Sequence, residues 1–305
     1  MDADVRRERG MDHSLYAYET DAQRPAWVLP SQKKIAFFAL LYIEHWELDP
    51  PPGAYRDPRF RGAYGDFAPD YWTWSYRLYG NRVGVHRVLR LLDRFEIPTT
   101  VAFNSMALDL YPELVDAVRA RPGWEAVAHG VAATRMITAR MSEDEERAHI
   151  LRARDTMTAA TGEPPRGWVG QDYGVTERTS RLLADAGFGY TLDWPNDERP
   201  YTQLSDGRLL AIPSQPDWDD VQTLWLRRVP VTRYPDLVAE AADELADGRP
   251  EGRLLGLGLH PWMIGAPHRI VYLRRALARL RERDDVWFAT AGAIADQFRS
   301  QMSET

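Results

Sequence analysis

Several residue types are missing or scarce in this sequence. It has no cysteine, so disulfide bonds, thiolate zinc sites and cysteine nucleophiles are excluded. Lys33 and Lys34 are its only lysines, and the other 36 of its 38 basic residues are arginine. The net charge is −7 and no basic stripe is visible, which argues against nucleic acid and anionic membranes as partners.

Long apolar runs and several catalytic signatures are also absent. The charged N-terminal segment MDADVRRERGMDHSLY has no apolar core of the kind found in signal peptides, and no stretch approaches the ~20 apolar residues of a membrane span. We therefore expect a cytoplasmic protein. The sequence lacks a Gly-x-Ser-x-Gly elbow, a Walker loop, a dinucleotide-binding glycine motif and His-Glu-x-x-His spacing. Serine hydrolase, nucleotide-binding and zincin functions lose support accordingly.

From residue 34 onward, short apolar runs alternate with amphipathic helical patterns. Helical spacing is clear at Val85, Val88, Leu89 and Leu92, and further helices are predicted at about 107–121, 142–161, 175–187, 234–247 and 269–283. This alternation predicts parallel strands with helices outside them, and seven or eight strands favour a barrel. We predict an N-terminal arm over 1–33 that packs on the domain or on a neighbour, and a single barrel domain over 34–305. The apolar runs are KIAFFALLYIE, TTVAFN, EAVAHG, RGWVGQD, YTLDW, LLAIPS, LLGLGLH and VWFATA.

Polar residues stand at the ends of most of these runs. In a β/α barrel the active site lies at the carboxyl ends of the strands, where the loops converge. Seven polar strand exits, with histidines and carboxylates among them, therefore predict a functional cleft at this end of the barrel. The exits are Glu44, Asn104, His129, Asp172, Asp193, Ser214 and His260.

Two of these exits are the strongest candidates for chemistry. His260 ends LLGLGLH, in which Gly256 and Gly258 permit close backbone approach and Pro261 stops the strand. Glu44 ends the first run, and a nearby tryptophan could form the wall of a pocket around the carboxyl group. His268 and Arg269 follow at a predicted helix start, where they either orient the loop or bind an anion or a carbonyl group.

A long excursion, 45–84, interrupts the alternation after the first run, and a shorter one, 196–208, follows the fifth. The long excursion is rich in proline, glycine and aromatic residues, and loops of this length are commonly functional. Its segment DYWTWSYRLYG would expose an apolar patch on a monomer. We therefore predict that 45–84 covers the mouth of the barrel or forms a subunit interface in a homodimer or homotetramer.

Taken together, these segments resemble the polysaccharide deacetylase superfamily, in particular the branch similar to metal-independent bacterial allantoinases and cyclic-imide hydrolases. The resemblance covers about 34–298 and implies a distorted (β/α)7-type barrel. It rests on LLYIEHWEL, YGNRVGVHRVL, EAVAHGVAAT, PPRGWVGQDYG, YTLDWPNDERPY, AIPSQPDWDD, LGLHPWMIGAPHRI and VWFATAGAIADQF.

The sequence departs from the zinc-dependent members at defined positions. Those members carry two adjacent aspartates after the first strand, the first as general base and the second as metal ligand, where this sequence has Ile43 and Glu44. Their second histidine, four residues after the first, is replaced by Ala133. The resemblance therefore implies no cofactor, although Zn²⁺ bound by Glu44, His129 and His260 stays open, because zinc accepts carboxylate and imidazole ligands.

A site of this kind predicts hydrolysis of a C–N bond in a small molecule. Such a reaction needs an activated water, a stabilised oxyanion and a proton for the leaving nitrogen. Glu44 is the candidate base, His129 or His260 the acid, and Arg269 or backbone N–H groups the oxyanion donors. Substrate-binding candidates are tryptophans that could wall a planar ring, together with polar residues at the exits, of which Asp197 could instead pair with Arg199. They are Trp46, Asn104, Trp168, Asp193, Trp194, Asp197, Trp262, His268 and Arg269.

Three functions stay open from the sequence alone. The first is a metal-independent hydrolase of a cyclic amide, imide or ureide. The second is a zinc-dependent deacetylase of an N-acetylated substrate, against which Ile43 and Ala133 argue. The third is a barrel that has lost catalysis and binds a ligand.

Overall fold

The computed structural model describes residues 13–55, 68–203, 207–248 and 250–304. Part of the predicted arm, 1–12, and part of the long excursion, 56–67, therefore lie outside the described residues. The strands are β1 (Ile35–Ile43), β2 (Thr99–Phe103), β3 (Glu125–Ala128), β4 (Gly167–Trp168), β5 (Tyr190–Thr191), β6 (Tyr201–Gln203), β7 (Leu209–Ala211), β8 (Arg253–Leu259) and β9 (Val286–Phe288).

Helices follow most of the strands. They are α1 (Tyr71–Tyr79), α2 (Val85–Arg94), α3 (Ser105–Leu110), α4 (Pro112–Arg119), α5 (Glu143–Thr161), α6 (Thr179–Asp185), α7 (Tyr234–Ala246), α8 (Ile270–Arg281) and α9 (Ala291–Glu304). Two short π-helical segments, Gly80–Gly84 and Val221–Leu226, flank the region where the loops converge. Across the parts of the chain that the structure describes, no helix is long and apolar enough to cross a membrane.

The strands form one nine-stranded sheet in the order β6-β7-β5-β4-β3-β2-β1-β8, with β9 also paired to β1. Every pairing is parallel except that of β6 with β7. The sheet curls into a half-barrel with helices outside it, so the predicted distorted (β/α) barrel is confirmed.

The first strand shows how the sequence sets the two faces of this sheet. All nine residues of β1 are buried, as expected for a parallel strand covered on both sides. Leu41 and Ile43 pack in the core that also contains α2 and α8, whereas Phe38 and Tyr42 pack in a second cluster inside the curled sheet. Because side chains alternate along a strand, Glu44 continues the inner face.

The described part of the N-terminal arm packs on the rest of the chain. Trp27 and Leu29 are buried in the inner cluster. Asp21 forms ion pairs with Arg199 at 2.8 Å and Arg253 at 3.0 Å. Both arginines are almost completely buried, so the arm supplies the carboxylate that two buried cations share.

Four features differ from the sequence prediction. The helix predicted over about 107–121 is divided into α3 and α4, because the non-helical backbone of Tyr111, with φ −129° and ψ 58°, lies between them and Pro112 begins the second helix. The long excursion contains α1, which the Asp70 side chain caps by accepting a hydrogen bond from the Thr73 N–H at 2.9 Å. The antiparallel strand β6 and the terminal helix α9 were not predicted, since neither region has strong periodicity.

Candidate active site

A small cavity lies where the carboxyl ends of the strands converge. Its volume is about 20 Å³, which is room for roughly one water molecule. Three of its lining residues, Glu44, His129 and His260, were predicted from the sequence to be catalytic. The other lining residues include Tyr42, Gly170, Gln171, Asp172, Tyr173, Asp219, Val221 and Gln222.

Glu44 is held at the end of β1 by three hydrogen bonds. Its Oε1 accepts from Gln171 Nε2 at 3.0 Å and lies 3.3 Å from His129 Nε2. Its backbone carbonyl accepts from the Asn81 side chain at 2.7 Å. Burial on its own raises the pKa of Glu44, but the hydrogen bond from His129 and the positive charge of His260 outweigh burial and lower it to about 2. The carboxylate is therefore ionised at neutral pH.

His129 follows β3 directly, and its ring orientation is fixed. Nδ1 lies 2.8 Å from the Val169 carbonyl, which can only accept, so Nδ1 carries a proton and Nε2 faces Glu44. The next residue, Gly130, has a φ of +67°, and a Cβ there would lie 2.8 Å from the His149 ring. This contact explains why glycine follows the histidine.

His260 follows β8 and pairs with Asp220. One carboxylate oxygen of Asp220 lies 2.7 Å from His260 Nδ1, and the other accepts from the His260 backbone N–H at 2.8 Å. The imidazole stacks on Tyr42, with ring centres 4.2 Å apart and planes 10° apart. Burial lowers the pKa of His260, but the carboxylates of Asp219 and Asp220 raise it to about 9. The proton of this coupled pair therefore rests on the imidazole.

Asp219 lies beside this pair and against β8. Its Oδ1 accepts from the backbone N–H groups of Val221 at 3.0 Å and Gln222 at 2.9 Å, and its Oδ2 accepts from the Tyr173 hydroxyl at 3.3 Å. A Cβ at Gly258 would lie 2.1 Å from Asp219 Oδ2. The prediction that this glycine permits close approach is confirmed, and the group that approaches is a carboxylate.

Asp193 holds the loop that carries Gln171 and Tyr173 by hydrogen bonding. The Asp193 carboxylate accepts from the Gly170 N–H and from the Thr191 hydroxyl, both at 2.5 Å. Burial raises the pKa of Asp193 to about 6. Asp193 was predicted to bind substrate, but its oxygens are directed to this loop and it does not line the cavity.

Two more predicted substrate-binding residues are buried in the scaffold. Trp168 is fully buried and packs edge-to-face on Phe188 at 5.5 Å, because its side chain faces the helix layer. Asn104 is fully buried as well. It accepts from the His45 N–H at 2.9 Å and donates to the His129 carbonyl at 2.5 Å, so it ties two strand exits together.

Trp46 and Trp262 lie beside the cavity without lining it. Both pack against the guanidinium of Arg77, whose central carbon lies 4.5 Å from the Trp46 ring and 3.3 Å from the Trp262 ring. These cation–π contacts attach α1, and with it the long excursion, to two strand exits. The structure therefore gives these tryptophans an anchoring position in place of the predicted wall for a planar ring.

The remaining predicted residues lie away from the cavity. Trp194 contacts Tyr16 of the arm, with ring centres 5.9 Å apart. Asp197 forms an ion pair with Arg24 at 2.5 Å.

His268 and Arg269, the two residues predicted at a helix start, do not line the cavity either. His268 is exposed. Arg269 donates to the Tyr76 hydroxyl at 3.2 Å and to the Met263 carbonyl at 3.3 Å. Of the two interpretations of this pair, loop orientation fits Arg269.

Sequence reasoning missed four cavity residues and Asp220, the partner of His260, and some of these five left a signal. Tyr42 stands two residues before Glu44 and therefore shares its strand face. Asp219 and Asp220 occur in the segment PDWDD, which the resemblance included. Gln171 and Tyr173 flank Asp172, a predicted strand exit, but the two-residue strand β4 is too short for periodicity to show which of them faces inward.

One group in the described part of the chain has ligand atoms close enough to hold a metal ion: Asp219, Asp220 and His260, within 4.8 Å of one another. These atoms are already engaged. Nδ1 of His260 and Oδ1 of Asp220 are 2.7 Å apart and form a direct hydrogen bond. A metal ion bound by these three side chains would have to replace that hydrogen bond by coordination.

The zinc ligands that the sequence left open, Glu44, His129 and His260, line one cavity. Nε2 of His129 faces Glu44 at 3.3 Å, and the cavity between the side chains has a volume of about 20 Å³. Ala133, at the place of the second histidine of zinc-dependent relatives, is fully buried in an apolar cluster with Trp46, Val221 and Trp262. Ile43 also lies in apolar core, on the face of β1 opposite Glu44.

Comparison with known proteins supports the resemblance. Residues 61–191 match the family model for polysaccharide deacetylase. The peptidoglycan deacetylase of Helicobacter pylori (strain ATCC 700392 / 26695) is 29% identical over 146 residues, which are 46% of this chain and 47% of that protein. The chain thus matches about half the length of this curated relative.

Two solved structures are similar over nearly the whole chain. The crystal structure of PuuE allantoinase has a TM-score of 0.81 and 26% identity, covering 95% of this chain and all, 100%, of that one. A protein from Pseudomonas aeruginosa PAO1, described as a probable polysaccharide deacetylase, has a TM-score of 0.78 and 27% identity, covering 92% and 95% of the two chains.

Proposed function

Because the chain carries a polysaccharide deacetylase domain, we propose that it is a hydrolase of C–N bonds other than peptide bonds, acting on a small cyclic amide, imide or ureide. One observation carries this proposal: Glu44 and His260 line the same cavity with opposite protonation. The pKa of Glu44 is lowered to about 2 and that of His260 is raised to about 9. At neutral pH the site therefore holds one ready proton acceptor and one ready proton donor.

Glu44 is the general base that takes a proton from the attacking water. Both contacts of its carboxylate with described residues use Oε1, so Oε2 is the oxygen assigned to the water. A pKa of about 2 makes a carboxylate a weak base. A bound ring that displaces water would remove solvation from the carboxylate and raise its pKa towards the range a base needs.

His260 is the general acid that donates a proton to the leaving nitrogen. Nδ1 is committed to Asp220 at 2.7 Å, so the donor is Nε2. Asp220 orients the ring and stabilises its charged form, and Tyr42 supports the ring from one side.

His129 is the group assigned to the developing oxyanion. Its Nδ1 donates to the Val169 carbonyl, so Nε2 is the ring atom that faces Glu44 and the cavity. A hydrogen-bond donor at this position would stabilise negative charge that develops on the attacked carbonyl group. Arg269, the alternative predicted from the sequence, is directed to Tyr76 and Met263.

We propose that this reaction needs no metal. The engaged donor atoms of Asp219, Asp220 and His260 and the apolar surroundings of Ala133 support this proposal. A zinc-dependent deacetylase is the competing function, since the curated relative is a peptidoglycan deacetylase.

A hydrolysis screen tests the proposed function. Allantoin, hydantoin, dihydropyrimidines, succinimide and N-acetyl sugars are offered to the purified protein with and without chelator. We expect turnover of at least one cyclic substrate in chelator, and loss of that turnover in Glu44→Gln. Turnover of N-acetyl sugars alone, dependent on added Zn²⁺, would establish the deacetylase instead, and no turnover at all would favour a binding protein.

We also propose that the chain forms a homodimer or homotetramer through the long excursion. Tyr71 and Trp72 on α1 are 63% and 52% exposed in the single chain, and large exposed aromatic side chains are typical of contact surfaces. Light scattering at micromolar concentration tests this, and a monomer would reject it.

A further inference from the structure

Gln171 is a cavity residue whose hydrogen bonding is incomplete. Its side chain is 4% exposed, and its Nε2 donates to Glu44 Oε1 at 3.0 Å. Its Oε1 is buried and accepts no hydrogen bond from the residues that the structure describes. Native proteins pair nearly all buried acceptors, because an unpaired one costs stability.

Rotation of the amide cannot remove this mismatch. Glu44 Oε1 lies 3.0 Å from Gln171 Nε2 and 3.3 Å from His129 Nε2, and a carboxylate oxygen can only accept hydrogen bonds. The NH₂ end of Gln171 must therefore face Glu44, and Oε1 must point away from it. The orientation of this amide follows from chemistry and does not depend on how the two ends were assigned.

The loop holds the side chain in this position from both sides. The Gly170 N–H donates to Asp193 at 2.5 Å, and the Tyr173 hydroxyl donates to Asp219 at 3.3 Å. Asp172 and Tyr173 both adopt left-handed backbone conformations, with φ of +49° and +58°. A backbone held in this way cannot shift freely to bring Oε1 to another donor within the protein.

We propose that Gln171 Oε1 accepts a hydrogen bond from an N–H group of the substrate, so that the enzyme selects cyclic amides, imides and ureides whose ring nitrogen is unsubstituted. This inference rests on the proposed function. In such rings the nitrogen is bonded directly to the carbonyl carbon that water attacks. Gln171 and Glu44 line the same cavity, so a ring nitrogen bound beside the attacked carbonyl carbon is the donor that we assign to Gln171 Oε1.

The test compares substrates that differ by one methyl group on nitrogen. The pairs are succinimide with N-methylsuccinimide, and hydantoin with its 1-methyl and 3-methyl derivatives. For the wild type we expect kcat/KM to be at least about tenfold higher for the N–H compound, the effect of one lost hydrogen bond with a buried group. In Gln171→Met, which keeps the length of the side chain and removes the acceptor, this ratio should fall to within about threefold.

Gln222→Met is the matched control. Gln222 lines the same cavity, and its backbone N–H contacts Asp219. We expect this variant to keep the wild-type ratio. A ratio that stays high in Gln171→Met would mean that the methyl group merely clashes with the cavity, and this would overturn the inference. Equal rates for both members of each pair in the wild type would overturn it as well.

Binding measurements distinguish a failure of this inference from a failure of the proposed function. If no cyclic compound is hydrolysed by any variant, the proposed function fails, and calorimetric binding of succinimide and N-methylsuccinimide then tests Gln171 directly. Tighter binding of succinimide by the wild type, lost in Gln171→Met, supports the acceptor role. Equal binding of the two compounds, or no binding of either, rejects it.

Discussion

Strand β8 connects two networks of buried charge, and the two networks differ in what they leave free. At its amino end Arg253 pairs with Asp21, which also pairs with Arg199. At its carboxyl end His260 pairs with Asp220. In the first network the terminal nitrogens of Arg199 donate hydrogen bonds to Asp21 and to the Pro25 carbonyl.

At the cavity, His260 and Glu44 each keep one side-chain atom without a hydrogen bond to the described residues. His260 uses Nδ1 and keeps Nε2, and Glu44 uses Oε1 and keeps Oε2 for the cavity. An arginine stays protonated and cannot exchange protons, whereas imidazole and carboxylate groups can, so we assign the first network to stability and the second to chemistry. The predictions that follow test this division.

The largest effect is expected for His260→Ala. Loss of the general acid should lower kcat by about two to four orders of magnitude. Stability should change much less, because His260 is what lowers the pKa of Asp220 against the effect of burial. Without the imidazole that pKa rises further, and the buried carboxyl group can become neutral by binding a proton. Steady-state kinetics on a variant with a normal circular dichroism spectrum measures this, and near-normal turnover would remove His260 from the mechanism.

For Asp21→Ala we expect lower stability and unchanged activity, the opposite of the result expected for His260→Ala. Two buried guanidinium groups would lose their shared carboxylate. Removing one member of a fully buried ion pair costs about 3–5 kcal/mol, but the Asp21 side chain is 53% exposed, so we expect about 2 kcal/mol of lost unfolding free energy. Activity per folded molecule should stay at the wild-type level.

Asp155→Ala provides the matched control for this variant. Asp155 forms an exposed ion pair with Arg154 at 2.7 Å, and its removal should cost below about 1 kcal/mol. Urea unfolding of the three proteins ranks the effects. If Asp21→Ala is no less stable than Asp155→Ala, the arm does not have the stabilising role assigned to it.

A smaller effect, a shift in the pH profile, is expected for Asp220→Asn. Activity needs Glu44 ionised and His260 protonated, so kcat/KM should fall as pH drops towards the Glu44 pKa of about 2 and as pH rises through the His260 pKa of about 9. Removing the Asp220 charge lowers the pKa of His260, so the alkaline limb should move to lower pH while the acid limb stays. An unmoved alkaline limb would show that another group donates the proton.

The strands and the cavity residues could be predicted from the sequence wherever a local residue pattern indicated them. The long β1 run fixed both the strand and the inward face of Glu44, and the glycines before His260 indicated the close approach that Asp219 makes. The tryptophan at position 168 shows the limit, because a two-residue strand has too little periodicity to distinguish the cavity side from the core side.

The partners that complete each network could not be predicted for a different reason. Asp220 lies 40 residues from His260, and Asp21 lies 232 residues from Arg253. Neither pair leaves a periodic or spacing signal, since only the closure of the sheet brings its members together. The contact of Trp46 and Trp262 with the Arg77 guanidinium could not be predicted for the same reason, because Arg77 belongs to a helix inside the long excursion.

Turnover by metal-stripped protein tests the central claim most directly. The wild type and Glu44→Gln are treated with chelator, their zinc content is measured, and hydrolysis of the best cyclic substrate is followed. We predict that the stripped wild type keeps its activity and that Glu44→Gln loses at least about 100-fold in kcat. Loss of wild-type activity on chelation with recovery on added Zn²⁺, or an active Glu44→Gln, would contradict the account.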